Sequence, residues 1–282
     1  STSAHRGFEV LDAEHLDARL NAVREALRLC PTEVPASLSI PAHKALDAVA
    51  QRLALGVDHT VVALFGGTGS GKSSLFNALT QLNFADVGAR RPTTSRAAAC
   101  SWGDDAGPLL DFLGVSSERR IRRDSILDAE DQGSMSGLVL LDVPDYDSVT
   151  TEHSLQVDRL VPLADILVWV VDPQKYADAA LHDGYLRGLG ARQEDMLVLV
   201  NQVDTLPESG LASLLDDVGS LLKDDGLSRV QVLPVSAVRG DNLDVVRSML
   251  RQRVARESNA ARTASAELDA ITRRLRPTVA RN

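Results

Sequence analysis

The apolar run Thr60-Val61-Val62-Ala63-Leu64-Phe65 leads directly into Gly66-Gly67-Thr68-Gly69-Ser70-Gly71-Lys72-Ser73, and a helical pattern follows. A strand, a turn that satisfies G-x-x-x-x-G-K-[ST] and a helix N-terminus, in that order, leave few folds open. Glycines let the backbone turn with its N–H groups pointing inward as an anion nest, abutting the positive end of the helix that begins near Ser73. Lys72 is placed to reach β- and γ-phosphates, and the Ser73 hydroxyl suits Mg²⁺, which prefers oxygen ligands. Residues Gly67, Thr68, Gly69, Ser70, Gly71, Lys72, Ser73 and Ser74 therefore form the expected phosphate cradle. The competing reading is a glycine-rich turn that binds nothing.

Composition narrows the partners. The net charge of −9 disfavours broad binding to nucleic acid, which needs a basic face. Arg90, Arg91 and Arg96 lie in one segment and Arg119, Arg120, Arg122 and Arg123 in another, and each group reads as a solvated charged face. Two cysteines, Cys30 and Cys100, supply neither a disulfide framework nor a spaced metal site, which fits a reducing cytosol. No stretch approaches the roughly 18 to 20 apolar residues of a membrane span, and no signal peptide opens the chain. A cytoplasmic protein is expected. Because the chain starts at Ser1 without a methionine, a membrane segment in a longer parent chain, and a place peripheral to the inner membrane, stay open.

From Thr60 onward, β-rich runs alternate with helical patterns in the rhythm of an α/β fold with a mostly parallel sheet. Strands are predicted at 60–65, 97–102, 137–142, 165–171, 196–201 and 230–235. Helices are predicted at 73–81, 151–161, 177–190, 209–224 and from 243 onward. Residues 103–136 interrupt the rhythm and read as a surface insertion with one small helix, or as a functional segment. Two helices, 8–29 and about 42–55, precede the phosphate loop. At the other end Ala261, Ala264, Leu268, Ile271 and Leu275 follow coiled-coil spacing until Pro277. Such a stripe needs a helical partner, so the two ends are predicted to form a small bundle, with dimerisation through the same stripe as the rival. The expected organisation is an N-terminal helical segment at 1–56, a nucleotide domain at 57–252 with its insertion at 103–136, and a C-terminal helix at 253–282.

Asn201-Gln202-Val203-Asp204 and Ser236-Ala237 each follow a predicted strand. A carboxylate at Asp204 can accept two hydrogen bonds from the N1–H and exocyclic amine of guanine, whereas adenine would leave those acceptors unpaired. Asn201 would tie neighbouring loops together, and the backbone N–H near Ala237, before Val238, would face the guanine carbonyl. With the upstream phosphate loop, this set resembles the translation-factor-related class of P-loop GTPases, and most closely its Era-like and bacterial dynamin-like groups, over about residues 57–252. The resemblance implies a Ras-like domain with a six-stranded sheet, in which strands 97–102 and 137–142 pair antiparallel. It also implies GTP and GDP as ligands and Mg²⁺ as cofactor. Hydrolysis of GTP to GDP and phosphate would be slow without a partner or a nucleotide-dependent homodimer.

The same resemblance assigns further roles and exposes departures. Asp142, in Asp142-Val143-Pro144-Asp145, corresponds to the aspartate that holds Mg²⁺ through a water, and Thr94, with Thr93 in reserve, to the switch threonine that contacts Mg²⁺ and the γ-phosphate. The catalytic set expected is thus Lys72, Thr94, Asp142 and Asp145, and the metal set Ser73, Thr94 and Asp142. Asp145 stands where the family has glycine, so its carboxylate either points away from the phosphate or the loop works differently. Tyr146 stands where Ras-type enzymes place a water-orienting glutamine, and cannot do that job in the same way. Gln202 replaces the usual lysine over the purine face. Some relatives hold a monovalent cation with Asn or Ser at the position of Gly69; here K⁺ would depend on backbone carbonyls or a partner. Arg90, Arg91 and Arg96 are candidates for an arginine finger. Two other readings remain beside a GTPase: a nucleotide-gated interaction module with little or no hydrolysis, and an ATP-using P-loop enzyme.

Overall fold

The computed structural model of the chain describes residues 2–56, 59–81, 96–123, 135–148, 151–255 and 259–279. They divide into two compact units, Ser1–His59 with Arg256–Asn282, and Thr60–Ala255.

The first unit is helical, with α1 (Thr2–Leu29), α2 (Ala36–Gly56) and, from the other end of the chain, α9 (Asn259–Val279). The stripe on α9 finds its partners inside the chain: Ala264, Leu268, Ile271 and Leu275 bury against Leu16, Leu20 and Leu27 of α1 and Ala42, Leu46 and Val49 of α2. Arg19 reinforces the seam by donating to Ser265 Oγ at 2.7 Å and to Asp269 Oδ1 at 2.5 Å. The bundle from both termini is therefore as expected. Its second helix begins earlier than Ala42 and runs through Pro41. Pro41 gives up its own N–H bond and crowds the carbonyl one turn earlier, although its fixed φ suits a helix, and the turn before it is anchored where Leu38 and Ser39 donate to Pro35 O at 2.9 Å.

The second unit is built on a seven-stranded sheet: β1 (Thr60–Gly66), β2 (Ala98–Trp102), β3 (Arg120–Arg123), β4 (Leu138–Asp142), β5 (Ile166–Val171), β6 (Met196–Val200) and β7 (Gln231–Pro234). Their order is β3-β2-β4-β1-β5-β6-β7, and among the described residues the single antiparallel pairing is β2 with β4, as predicted. In sequence order the strands are separated by α3 (Lys72–Thr80), α4 (Gly107–Leu113), α5 (Thr151–Leu160), α6 (Ala179–His182) and α7 (Glu208–Asp224), with α8 (Leu243–Val254) closing the unit. β1, paired in parallel with β4 on one side and β5 on the other, is buried along its whole length. Continuous apolar strands of this kind belong at the centre of a sheet covered on both faces. Val62, Leu64, Leu140 and Val168 meet Leu75, Phe76 and Leu79 of α3 and Val246 and Leu250 of α8 in one core, and Phe65 stacks on Trp169 at 4.8 Å.

Two expectations need correction. The sheet has a seventh strand, because Arg120–Arg123 pairs parallel to β2 at the edge. Its sequence, Arg-Ile-Arg-Arg, has no apolar face to reveal it, and charge is one way an exposed edge is kept from pairing further. These arginines are also not simply a solvated face, since Arg119 donates to Ala97 O at 3.2 Å, Arg120 to Val115 O at 2.8 Å and Arg122 to Gly103 O at 2.9 Å. The second correction is the helix predicted at 177–190, of which only Ala179–His182 is α-helical before 3-10 turns take over. Gly184, Gly188 and Gly190 disfavour a continuous helix there. The His182 ring also turns inward, bonding to the Asp225 carboxylate and to Tyr176 O at 2.8 Å.

Candidate functional site

The phosphate loop starts at the carboxyl end of central β1, and Asp142, Val171 and Asn201 end or follow the strands beside it. Parallel strands bring their carboxyl ends to one edge, which is where ligands bind in sheets of this kind. Gly69 and Gly71 adopt left-handed φ values of 84° and 77°. Gly71 must also lack a side chain because a Cβ would lie 2.5 Å from Asn201 Nδ2.

Lys72 is the first residue of α3 and points back over the loop. It is 2% exposed, with Nζ 2.5 Å from Asp142 Oδ1, whose carboxylate is fully buried. The other Asp142 oxygen accepts from Ser73 Oγ at 3.0 Å. Asp145 does not point away: its Oδ1 lies 3.6 Å from Lys72 Nζ and its Oδ2 accepts from Thr68 Oγ1 at 3.2 Å. Asp147, which the sequence reading missed, accepts from Thr68 N at 2.8 Å and Thr68 Oγ1 at 3.0 Å. Between these aspartates the Tyr146 N–H donates to Gly66 O at 3.3 Å, and its ring is buried beside Tyr185 at 5.8 Å. Burial, with the carboxylates of Asp178, Asp147, Asp172 and Asp145 adding to it, pushes the Tyr146 phenol well above the ordinary tyrosine value. It is a neutral wall of the site. On the other side of the loop, Lys175 Nζ donates to Thr68 O at 3.1 Å. The turn carrying Lys175 is fixed by Asp172 Oδ1, which accepts from the Gln174 and Lys175 N–H groups at 2.8 and 3.0 Å.

At the opposite end of the loop, buried Asn201 is a two-sided tie. Its Nδ2 donates to Ser70 O at 3.0 Å and its Oδ1 accepts from Ala237 N at 3.2 Å. Gln202, at a left-handed φ of 63°, donates through Nε2 to Gly69 O at 2.9 Å. Asp204 is oriented by the buried Ser236 hydroxyl, which donates to its Oδ1 at 2.7 Å and in turn accepts from Arg239 N at 2.9 Å. The Asn201, Gln202, Asp204, Ser236 and Ala237 set is thus brought together beside Gly69 to Gly71. Val238 is 86% exposed and Ser74, on the first turn of α3, is also exposed. Thr93, Thr94, Arg90 and Arg91 lie outside the described residues, and Arg96 is exposed.

Fold and site together define a Ras-like P-loop nucleotide-binding domain. Residues 61–202, just over half of the chain, match the family described as 50S ribosome-binding GTPase, and the chain belongs to that GTPase family. No curated protein sequence matches it. Among solved structures it is similar to a bacterial dynamin described as part of an oligomerised pair that senses and tethers membranes over long range. That match has 16% identity, a TM-score of 0.50, and covers 94% of this chain and 54% of the other. A second structure of that pair gives 15% identity, a TM-score of 0.51, and coverage of 97% and 47%. Era of Aquifex aeolicus, in a tyrosine variant bound to GDP and aluminium fluoride, gives 18% identity, a TM-score of 0.43, and coverage of 68% and 56%. The chain spans about half the length of the bacterial dynamins it matches. Among the described residues no helix is long and apolar enough to cross a membrane.

Proposed function

We propose that the chain binds guanine nucleotide with Mg²⁺ and hydrolyses GTP slowly, passing the state of its 142–147 segment to a partner or to the helical unit. The observation that carries the guanine reading is the Asp204 carboxylate, oriented by Ser236 and set beside the phosphate loop by Asn201. An acceptor pair fixed in that way suits N1–H and the exocyclic amine of guanine and penalises adenine. The loop amides and Lys72 would take the phosphates, with positioning and electrostatics supplying most of the rate.

The donor set fits a hard divalent cation, because Ser73 Oγ and Asp142 Oδ2 lie 3.0 Å apart as two adjacent oxygens. Ser73 would hold Mg²⁺ directly and Asp142 through a water, with Thr94 as the third assigned ligand. Bound there, Mg²⁺ would neutralise charge on the phosphates. K⁺ would have to be held by backbone carbonyls or a partner, since Gly69 has no side chain to offer.

The test compares binding of GTP and ATP by calorimetry, then follows single-turnover GTP cleavage with and without K⁺ at high protein concentration. ATP binding as tight as GTP would overturn the guanine reading. The second reading, a nucleotide-gated module with little hydrolysis, is favoured by Tyr146, whose buried phenol offers no amide to orient water. Cleavage no faster than in an Asp142→Ala control would establish it. A nucleotide-dependent homodimer and membrane association of a longer parent chain draw only on likeness of fold to the bacterial dynamins. Sedimentation with anionic liposomes, with and without GTP, tests the latter.

A further inference from the structure

We infer that Asp145 and Asp147 set the site's selectivity for the length of the phosphate tail, favouring guanosine diphosphate over triphosphate. The inference rests on the guanine-nucleotide reading and deepens it. In a phosphate loop the backbone N–H groups cradle the phosphates and the lysine reaches the β- and γ-phosphates, so the outermost phosphate lies at the loop's mouth. Here donors at that mouth already serve carboxylates. Asp147 takes both the N–H and the hydroxyl of Thr68, at 2.8 and 3.0 Å. Asp145 bridges the Thr68 hydroxyl and the Lys72 ammonium, at 3.2 and 3.6 Å.

The two carboxylates are held against the loop by what lies between them. Tyr146 is bonded through its N–H to Gly66 O and wedged against Tyr185. A Cβ on Gly67 would lie only 3.0 Å from Asp147 Oδ2 and 3.1 Å from the Tyr146 hydroxyl, so the 145–147 turn packs directly on the loop backbone. Nor does the backbone call for glycine at 145: among the described residues the non-glycine positions with positive φ are Gln81, Gln202 and Asn242. Asp145 therefore sits there without strain. A diphosphate draws on the loop amides and on Lys72, whose nearer partner is Asp142 at 2.5 Å, and leaves the contacts of Asp145 and Asp147 with Thr68 in place. A γ-phosphate would compete for the Thr68 donors and meet two negative charges within a few ångströms, a repulsion that water screens only partly at a half-buried site. It seats only if residues 145–147 swing out as a unit.

Calorimetry with GDP and a non-hydrolysable GTP analogue in excess Mg²⁺ tests this. The unaltered chain should bind GDP about tenfold or more tightly than the analogue. Asp145→Asn with Asp147→Asn keeps shape and one acceptor oxygen at each position while removing charge, and should shift the affinity ratio toward the triphosphate by about tenfold. Each single substitution should give part of that shift, which keeps the test available if the double variant folds poorly. Equal or tighter binding of the analogue by the unaltered chain overturns the inference. So does a ratio that moves less than twofold in the variants while GDP still binds. If neither nucleotide binds the unaltered chain, the guanine-nucleotide reading fails and takes the inference with it.

Discussion

Asn201 joins the two halves of the candidate site: its amide donates to Ser70 O at 3.0 Å while its own carbonyl accepts from Ala237 N at 3.2 Å. One buried side chain thereby couples the phosphate loop to the loop after β7. Asn201→Ala should weaken guanine-nucleotide binding at least tenfold, because the base loop loses its register with the phosphates. It should also lower stability by about 1–3 kcal/mol, since the Ser70 and Ala237 backbone groups lose a partner. Urea unfolding and nucleotide titration on the same preparation separate the two effects.

Lys72 and Asp142 form a buried pair, so the usual test of a phosphate loop carries a side effect. Lys72→Ala should abolish nucleotide binding and also destabilise the domain by about 3–5 kcal/mol, because it strips the ammonium from a carboxylate that has no exposure to water. Lys72→Ala with Asp142→Asn should recover much of that stability and none of the binding. The pair of denaturation curves checks this. A double variant no more stable than Lys72→Ala would show that the pair is not what makes the single change costly.

Asp204→Asn keeps an acceptor for the Ser236 hydroxyl and changes what the site offers the base. Affinity for GTP should fall by about two orders of magnitude and affinity for the xanthine nucleotide should rise, since xanthine presents a carbonyl where guanine has its amine. Ser236→Ala should reduce GTP binding less, by a few-fold, through loss of orientation alone. Competition binding with both triphosphates measures the exchange.

The most legible parts of the fold were those with strong periodicity. β1, β4, β5 and β6 are runs of branched apolar residues, and the helical seam of α9 declares itself through Ala264, Leu268, Ile271 and Leu275. β3 was hidden because edge pairing satisfies its backbone while Arg120, Arg122 and Arg123 show no apolar alternation. The 177–190 segment has a helical apolar pattern, but its glycines and the inward bonds of His182 cut the helix short. In the site, Lys72, Asn201 and Asp204 were legible because phosphate and base recognition demand those groups at those spacings. Asp147 and Lys175 were not, since both act on Thr68 through contacts made only when distant strand ends converge. Asp145 stands out in the sequence as a departure from glycine, but the direction of its side chain depends on where Lys72 and Thr68 lie.

Leu46 is fully buried where α1, α2 and α9 meet. Leu46→Ala should cost the helical unit about 2–5 kcal/mol, the range for a large-to-small change that leaves a cavity. Helical circular dichroism followed through thermal unfolding, compared with the same change at exposed Leu29, reads that loss.

Cys100 lies in β2 with no exposed surface, and burial pushes its thiol up to about 12, with the Arg123 charge offsetting only part of that. Two outcomes follow. A thiol reagent at pH 8 should label partly exposed Cys30 in the native protein and reach Cys100 only after unfolding, because the thiolate is the nucleophile and is suppressed at position 100. The same shift makes stability depend on alkaline pH. Above about pH 9 the unfolded thiol gives up its proton while the native one keeps it, so the unfolded state binds fewer protons and stability falls as pH rises toward 12. Buried Tyr146 acts with the same sign, starting from the ordinary tyrosine value of 10.0. Each pH unit inside that window removes up to about 1.4 kcal/mol per group. Urea unfolding midpoints measured from pH 7 to 10.5 should therefore decline more steeply for the unaltered chain than for Cys100→Ala, whatever the starting stability of the variant. Parallel declines would show that the buried thiol is not what titrates.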